Sequence, residues 1–317
     1  MQEFSFHCPT EIVFGRGVEE RTAELLRKYG AHRVFIVYGG GSVIKSGLLA
    51  RVERVITAAG LAFSVRGGVR PNPRLSFARE AVREAMDFEA DFLLAVGGGS
   101  VIDTAKAIAH GTANPETDLW DFWSGKKELK KSLPVGVILT LPAAGSETSD
   151  SSVLTNEETG EKAGLPSPFN RPAFAILNPE LAFSLSSPQL AAGIADIVMH
   201  TLERYMTHTE GNEFTDRIAE ALLQNVAKYA PIVLAHHKNY EAMSEIMWCG
   251  TISHCGLTGL GRDKDFSVHK LGHALSARYD TNHGESLTAL WGAWARAVYE
   301  DRPERFARFA EKVWGVD

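Results

Sequence analysis

A chain of 317 residues with 44% apolar and 23% charged side chains can build one large core or two ordinary ones, and this composition excludes extended disorder. The formal net charge of −6, with no basic block longer than the cluster Lys126, Lys127, Lys130 and Lys131, argues against nucleic acid as a partner and marks that cluster as a solvated loop. Cys8, Cys249 and Cys255 are too few and too scattered for a disulfide framework, the first residues carry no leader pattern and no apolar run reaches bilayer length, so a cytoplasmic protein without a membrane partner is expected.

In chain order, residues 34–38 are predicted as a strand, 47–59 as a helix, 62–66 as a strand and 75–88 as a helix, the rhythm of a parallel sheet with helical crossovers. Residues 92–96 are apolar without alternation, as strands covered on both faces are, which places this strand centrally. Residues 134–141 repeat that character before a turn at 142–145, and residues 173–177 read as a last short strand. From Pro188 onward strand signals stop. Helical periodicity takes over at 189–207, 213–229, 240–257 and 265–279, with a loop at 282–284. The expected organisation is an α/β dinucleotide-binding domain with a parallel sheet over residues 1–185, followed by an all-helical metal-binding domain over 186–317.

Gly97, Gly98, Gly99 and Ser100 follow the central strand and open a helix at 101–110. A pyrophosphate needs backbone N–H groups at the positive end of a helix, approached without side-chain obstruction, and glycine permits this. Asp103, one turn in, is either part of that site or an acid favoured by the helix dipole. Gly39, Gly40, Gly41 and Ser42 end an earlier strand where nucleotide folds separate NAD from NADP. NAD-specific sites commonly place a carboxylate there for the ribose 2′-hydroxyl. None is present, while Ser42 and Lys45 can engage a phosphate, so NADP(H) is expected in preference to NAD(H).

Asp196 and His200 lie four apart on one helical face within an apolar stretch, where a carboxylate is costly to bury unless it is paired or bound to a cation. His269 and His273 repeat the spacing, and His283 follows. Asp196, His200, His269 and His283 form a mixed nitrogen and oxygen set suited to Fe2+ or Zn2+. His254, beside Cys255, is given no role.

Taken together, the opening Pro9 to Gly15 stretch, the Tyr38 to Ser42 turn, Pro71-Asn72-Pro73, Gly97 to Lys106, Thr140 to Glu147, Asp196 to His200, His269 to His273 and His283-Gly284 resemble the iron-containing (group III) alcohol dehydrogenase family. The likeness extends to its butanol dehydrogenase and NADPH-dependent aldehyde reductase branch and spans nearly the whole chain. It implies the dehydroquinate synthase-like architecture, metal ligation by Asp196, His200, His269 and His283, and a place for His273 beside substrate and nicotinamide. It also implies cofactor contacts at Gly39 to Ser42, Asn72, Gly97 to Ser100, Asp103, Thr140 and Leu141, with Lys162 near the phosphates, and a homodimer. Family members continue through further helices beyond the position of Asp317, so a shortened chain is expected, and Glu285 and Ser286 replace smaller residues after His283.

The expected chemistry is hydride transfer between nicotinamide and a small primary alcohol or aldehyde, with the ion acting on the substrate oxygen and His273 exchanging a proton. Three rivals stand beside it. One is a zinc-dependent polyol dehydrogenase of the glycerol type. Another is metal-assisted hydrolysis with Glu203 or Glu285 activating water, and the third is a shortened nucleotide-binding protein without turnover.

Overall fold

Apolar, β-branched runs become parallel strands in the computed structural model, which describes residues 1–316. The elements of the first compact unit, residues 9–141 and 146–181, are β1 (Glu11–Phe14), α1 (Thr22–Lys28), β2 (Arg33–Tyr38), α2 (Ser42–Lys45), α3 (Leu48–Ala58), β3 (Ala62–Arg66), α4 (Leu75–Asp87), β4 (Phe92–Gly97), α5 (Gly99–Ala113), α6 (Leu119–Trp123), β5 (Val135–Leu139), β6 (Ser151–Asn156), β7 (Glu161–Pro166) and β8 (Phe174–Leu177). Six of these strands form one sheet in the order β1-β8-β5-β4-β2-β3, parallel throughout. Strand β4 lies between β2 and β5 and is buried along its length, as its unbroken apolar run requires.

Register then sets where the strands end. Val96 pairs with Tyr38 on one side and Ile138 on the other, so the turns after β2, β4 and β5 emerge at the same edge. From β2 the chain moves outward to β3 and returns past β2 to β4. The winding reverses between β2 and β4, and in open α/β sheets such a reversal leaves a crevice at the strands' carboxyl ends. One face of the sheet packs Val34, Ile36, Leu94 and Val96 against Leu48, Val52 and Ile56 of α3. The helix α4 turns Leu75 and Ala78 toward Ala107, Trp120 and Trp123 in a second core.

A hairpin of β6 and β7 was not anticipated. It pairs antiparallel from Ser151 opposite Pro166 to Asn156 opposite Glu161. Its strands are polar and lack the period-two alternation that marks a half-buried strand.

The second unit holds residues 1–8, 142–145 and the chain from Ala182 on. Its helices are α7 (Ser187–Tyr205), α8 (Glu213–Ala235), α9 (Tyr240–His254), α10 (Ser267–Tyr279), α11 (His283–Val298) and α12 (Pro303–Phe309). Helix α7 starts two residues before its predicted start because Ser186 and Gln189 close a reciprocal capping box, with Pro188 in the first turn. Helix α8 runs past its predicted end at 229 to Ala235 and carries Pro231 inside it. Helix α9 stops at His254, short of residue 257, since Gly256 follows with a φ of 114°.

The larger correction concerns residues 282–284, expected as a loop. Asn282 caps α11, its side-chain oxygen accepting from the Gly284 N–H at 3.1 Å, and His283 is the first residue of the helix. An Asn-x-Gly sequence reads as a turn, yet the same asparagine oxygen satisfies a helix's first N–H groups equally well. Gly284 has a packing reason to be there: a side-chain carbon at 284 would sit 2.0 Å from the Ala192 carbonyl oxygen. This close approach of α11 to α7 carries His283 next to the turn that bears Asp196. Among the described residues, no helix is long and apolar enough to cross a membrane, and no disulfide joins Cys8, Cys249 and Cys255.

Candidate active site

Helix α7 turns Asp196, His200 and Glu203 to one side at spacings of four and three, and all three are buried. Into this side α10 brings His269 and α11 brings His283. Ligand atoms of Asp196, His200 and His269 lie within 4.8 Å of one another. Asp196 Oδ1 is 3.0 Å from His200 Nδ1, 3.6 Å from His269 Nε2 and 3.6 Å from His283 Nε2. Two donors each about 2.1 Å from one ion at a tetrahedral angle stand about 3.4 Å apart, the spacing seen here.

The polar atoms at the centre fit a bound cation. Asp196 Oδ1 and His269 Nε2 are buried without a hydrogen-bond partner, a situation native interiors avoid unless another group completes it. Burial alone raises the Asp196 carboxyl, but the charges of His200 and His283 and the nearby imidazoles of His200 and His269 hold it well below the usual carboxylate range. Burial lowers His200 against the pull of Asp196. Burial would also lower His269, yet the carboxylates of Asp196 and Glu203 beside its two ring nitrogens raise it. One carboxylate and three imidazoles converging on one point fit a divalent iron or zinc ion.

Two residues near this centre have contacts that the sequence reading did not give them. The His254 ring lies 4.1 Å from that of His200, and its Nδ1 accepts from Arg204 Nη2 at 2.7 Å. Burial, then the charges of His200 and Arg204, press its pKa well below the ordinary histidine value. Nothing in its neighbouring sequence marks it, because its partners stand about fifty residues earlier on another helix. Glu203 is the second: it accepts from the backbone N–H of His269 at 3.1 Å and from the ring Nδ1 of the same residue. Both its oxygens are thereby directed at His269. Glu285, the other acid offered for activating water, is exposed in the first turn of α11. Ser286 turns inward to Ser276 and Thr281. The His273 ring stands 5.5 Å from that of His283 and 6.4 Å from that of His269.

In the α/β unit the glycine turns meet at the reversal point. A side-chain carbon at Gly97 would lie 2.5 Å from a Val101 methyl, and one at Gly98 would lie 3.1 Å from Leu141 Cβ, so the backbone itself lines the crevice there. The 15-residue helix α5 begins at Gly99 with no side-chain cap and no acid in its first turn, leaving its positive end for an anion. Thr140 donates its N–H to the Gly97 carbonyl at 3.1 Å, which joins the third turn to the second. Gly39 lies in contact range of Val101, while Gly40, Gly41, Ser42 and Lys45 are exposed on and before α2.

Asn72, buried at a φ of 56°, accepts from Lys162 Nζ at 2.8 Å, so the two residues form one polar post. Asp103 is differently employed. Its carboxylate accepts from Ser146 Oγ at 2.5 Å and from the Val153 N–H at 2.9 Å, which ties α5 to the hairpin strand β6. Beside it the fully buried Lys106, pushed down to about 8 by burial, donates to the carbonyls of Ser146 and Ser151 at 2.8 Å each.

Comparison with known proteins agrees along the chain. The family model described as iron-containing alcohol dehydrogenase matches residues 9–179, and that of the C-terminal part of the same family matches residues 190–316. The probable NADH-dependent butanol dehydrogenase 1 of Bacillus subtilis is 40% identical over all of this chain and 81% of its own length. The NADPH-dependent aldehyde reductase YqhD of Escherichia coli is 36% identical over the same shares. The crystal structure of NADH-dependent butanol dehydrogenase A from Thermotoga maritima superposes with a TM-score of 0.97 at 37% identity, covering 100% of this chain and 79% of that one. With both halves matched in order, a parallel α/β unit followed by helices and an acid surrounded by histidines, this chain belongs to the iron-containing alcohol dehydrogenase family.

Proposed function

We propose that the chain interconverts small primary alcohols and aldehydes by nicotinamide-linked hydride transfer, with Asp196, His200, His269 and His283 holding a divalent cation, iron in preference to zinc. The observation that carries the proposal is the convergence of imidazoles from α7, α10 and α11 on one buried, unpartnered carboxylate oxygen. When bound, the cation supplies Lewis acidity toward the substrate oxygen and the nicotinamide supplies or accepts hydride. The chain's own part is to position and to move protons. Asp196 offsets one unit of cation charge, leaving the site net positive. The glycine backbone at 97–99 and the start of α5 receive the pyrophosphate. The post of Asn72 and Lys162 borders the cofactor. His273 exchanges the alcohol proton with solvent.

The same reading assigns NADP(H) over NAD(H), since no carboxylate stands at residues 39–42 to repel a 2′-phosphate and Lys45 is at hand. The names of the relatives, butanol dehydrogenase and aldehyde reductase, support the substrate class.

The test is NADPH consumption with butanal, with elemental analysis on the same sample, before and after chelation. Chelation should abolish turnover, and iron should restore it. Asp196→Ala and His269→Ala should each lose metal and rate together while retaining NADPH binding. His273→Gln should keep its metal and lose rate. Either ligand variant with wild-type metal content and wild-type rate overturns the assignment.

A further inference from the structure

We infer that Glu203 is a positioning residue for the cation site, locking His269 as the Nδ1–H tautomer so that the Nε2 lone pair is the one offered to the ion. The inference rests on the ligand assignment proposed above and adds to it a residue that makes no contact with the ion.

The first N–H groups of a helix have no intrahelical acceptor, and a side chain just before the helix usually takes one of them. In helix α10 Phe266, at the N-cap, supplies no side-chain cap, and Asp265 takes only the Ser267 N–H, at 2.8 Å. The acceptor for the backbone N–H of His269, the third residue of α10, comes from α7, where Glu203 Oε1 takes it at 3.1 Å. A carboxylate at the positive end of a helix is also favoured by the dipole. Burying Glu203 at 1% exposure would be costly for a lone charge, and this contact offsets only half of its need. The other half is met by His269 itself, whose ring Nδ1 donates to Glu203 Oε2.

Both carboxylate oxygens therefore grip one residue, by its backbone and by its ring. A neutral imidazole carries one proton, and a proton held on Nδ1 leaves a lone pair on Nε2. That Nε2 is buried, without a hydrogen-bond partner and 3.6 Å from Asp196 Oδ1. The anion behind the ring also makes Nε2 a stronger donor, as carboxylates behind metal-bound histidines generally do. Glu203 stands one helical turn beyond His200 on α7, so a single helix carries two ligands and the group that aims a third.

A cap alone would need only one acceptor oxygen, and Glu203→Gln separates the two roles. An amide offers one oxygen and one NH2. Turned one way, its NH2 meets the His269 backbone N–H, donor against donor. Turned the other way, its NH2 donates to Nδ1, which forces the ring proton onto Nε2 and blocks the ion.

The experiment is a competition titration of metal-free full-length protein with Zn2+ against a chromophoric chelator, together with the absorption spectrum of the Co2+-loaded form. Wild type should bind one ion, and Glu203→Gln should bind one ion about 10- to 100-fold more weakly with an altered Co2+ spectrum. Wild-type affinity and spectrum in the variant overturn the role of Glu203 while leaving the ligand set standing. Failure of the wild-type protein to take up an ion overturns the ligand set and this inference with it. Should Glu203→Gln not fold, wild type decides the question. In its Co2+ form the His269 Nδ1–H is expected as a paramagnetically shifted signal, slow to exchange with solvent and absent from His269→Gln, and its absence from wild type overturns the inference.

Discussion

Gly39 closes β2 at the sheet's reversal point, where a side chain is sterically admissible. A carbon added there would meet a Val101 methyl at 3.4 Å and the Val69 carbonyl at 3.5 Å, ordinary contact distances, and the φ of this glycine lies outside the left-handed region. Its lack of a carboxylate is thus a chemical feature, separable from backbone need. Gly39→Asp should fold, accept the ribose 2′-hydroxyl and repel a 2′-phosphate, shifting the ratio of kcat/KM for NADPH over NADH by at least tenfold toward NADH, equivalent to about 1.4 kcal/mol. An unchanged ratio in steady-state assays would show that residues 39–42 do not read the ribose. At this scale the grouping of Asp196, His200, His269 and His283 was legible, because a carboxylate within an apolar stretch and histidines at helical spacing point to one shared place. The contacts of Glu203 and His254 were not, since each is made with a partner some fifty to seventy residues away in sequence.

Among the elements, the strands β2, β3, β4 and β8 could be read from apolar and β-branched runs, whereas the hairpin of β6 and β7 could not. Its polar strands are held by pairing with each other and by Asp103 and Lys106, contacts that leave no periodicity. The start of α11 was misread for a related reason, as Asn282 serves turn and cap alike. The helical unit has an equally hidden fastening. Asp216, buried in the first turn of α8, accepts from Arg305 Nη1 at 2.8 Å and from Arg262, while Arg305 also donates to the Tyr205 carbonyl at 2.7 Å and stacks on that ring at 3.7 Å. Nearby, Glu220 accepts from the Tyr205 hydroxyl at 2.8 Å and from Arg308 at 2.6 Å. The network joins α7, α8 and α12. Burial raises the Asp216 carboxyl, but hydrogen bonds to Arg305 and Arg262 hold it below the ordinary value, so the carboxylate is charged at neutral pH. Asp216→Ala leaves two buried guanidiniums without their anion and should cost about 3–5 kcal/mol in urea unfolding. A loss below about 1 kcal/mol would mean that solvent or other acceptors replace Asp216.

For the whole chain, the ligand scheme spreads donors from residue 196 to residue 283 over three helices of one unit, and places the nucleotide turns in the other. An ion that binds only the native arrangement adds RT ln(1 + [L]/Kd) to the free energy of opening the segments that hold it, about 2.7 kcal/mol at a hundredfold excess over Kd. Hydrogen exchange reads this segment by segment. Adding Zn2+ to the metal-free protein at that excess should slow exchange up to about 100-fold in the middle of α7, the first two turns of α10 and the first turn of α11. Strands β4 and β5 should exchange as before. NADPH added alone should instead protect the start of α5 and the turn after β5, where the proposed function has the backbone receive the phosphates. If one bound ion leaves α7, α10 and α11 exchanging at their metal-free rates, the cation does not sit among Asp196, His200, His269 and His283, whatever activity the protein shows.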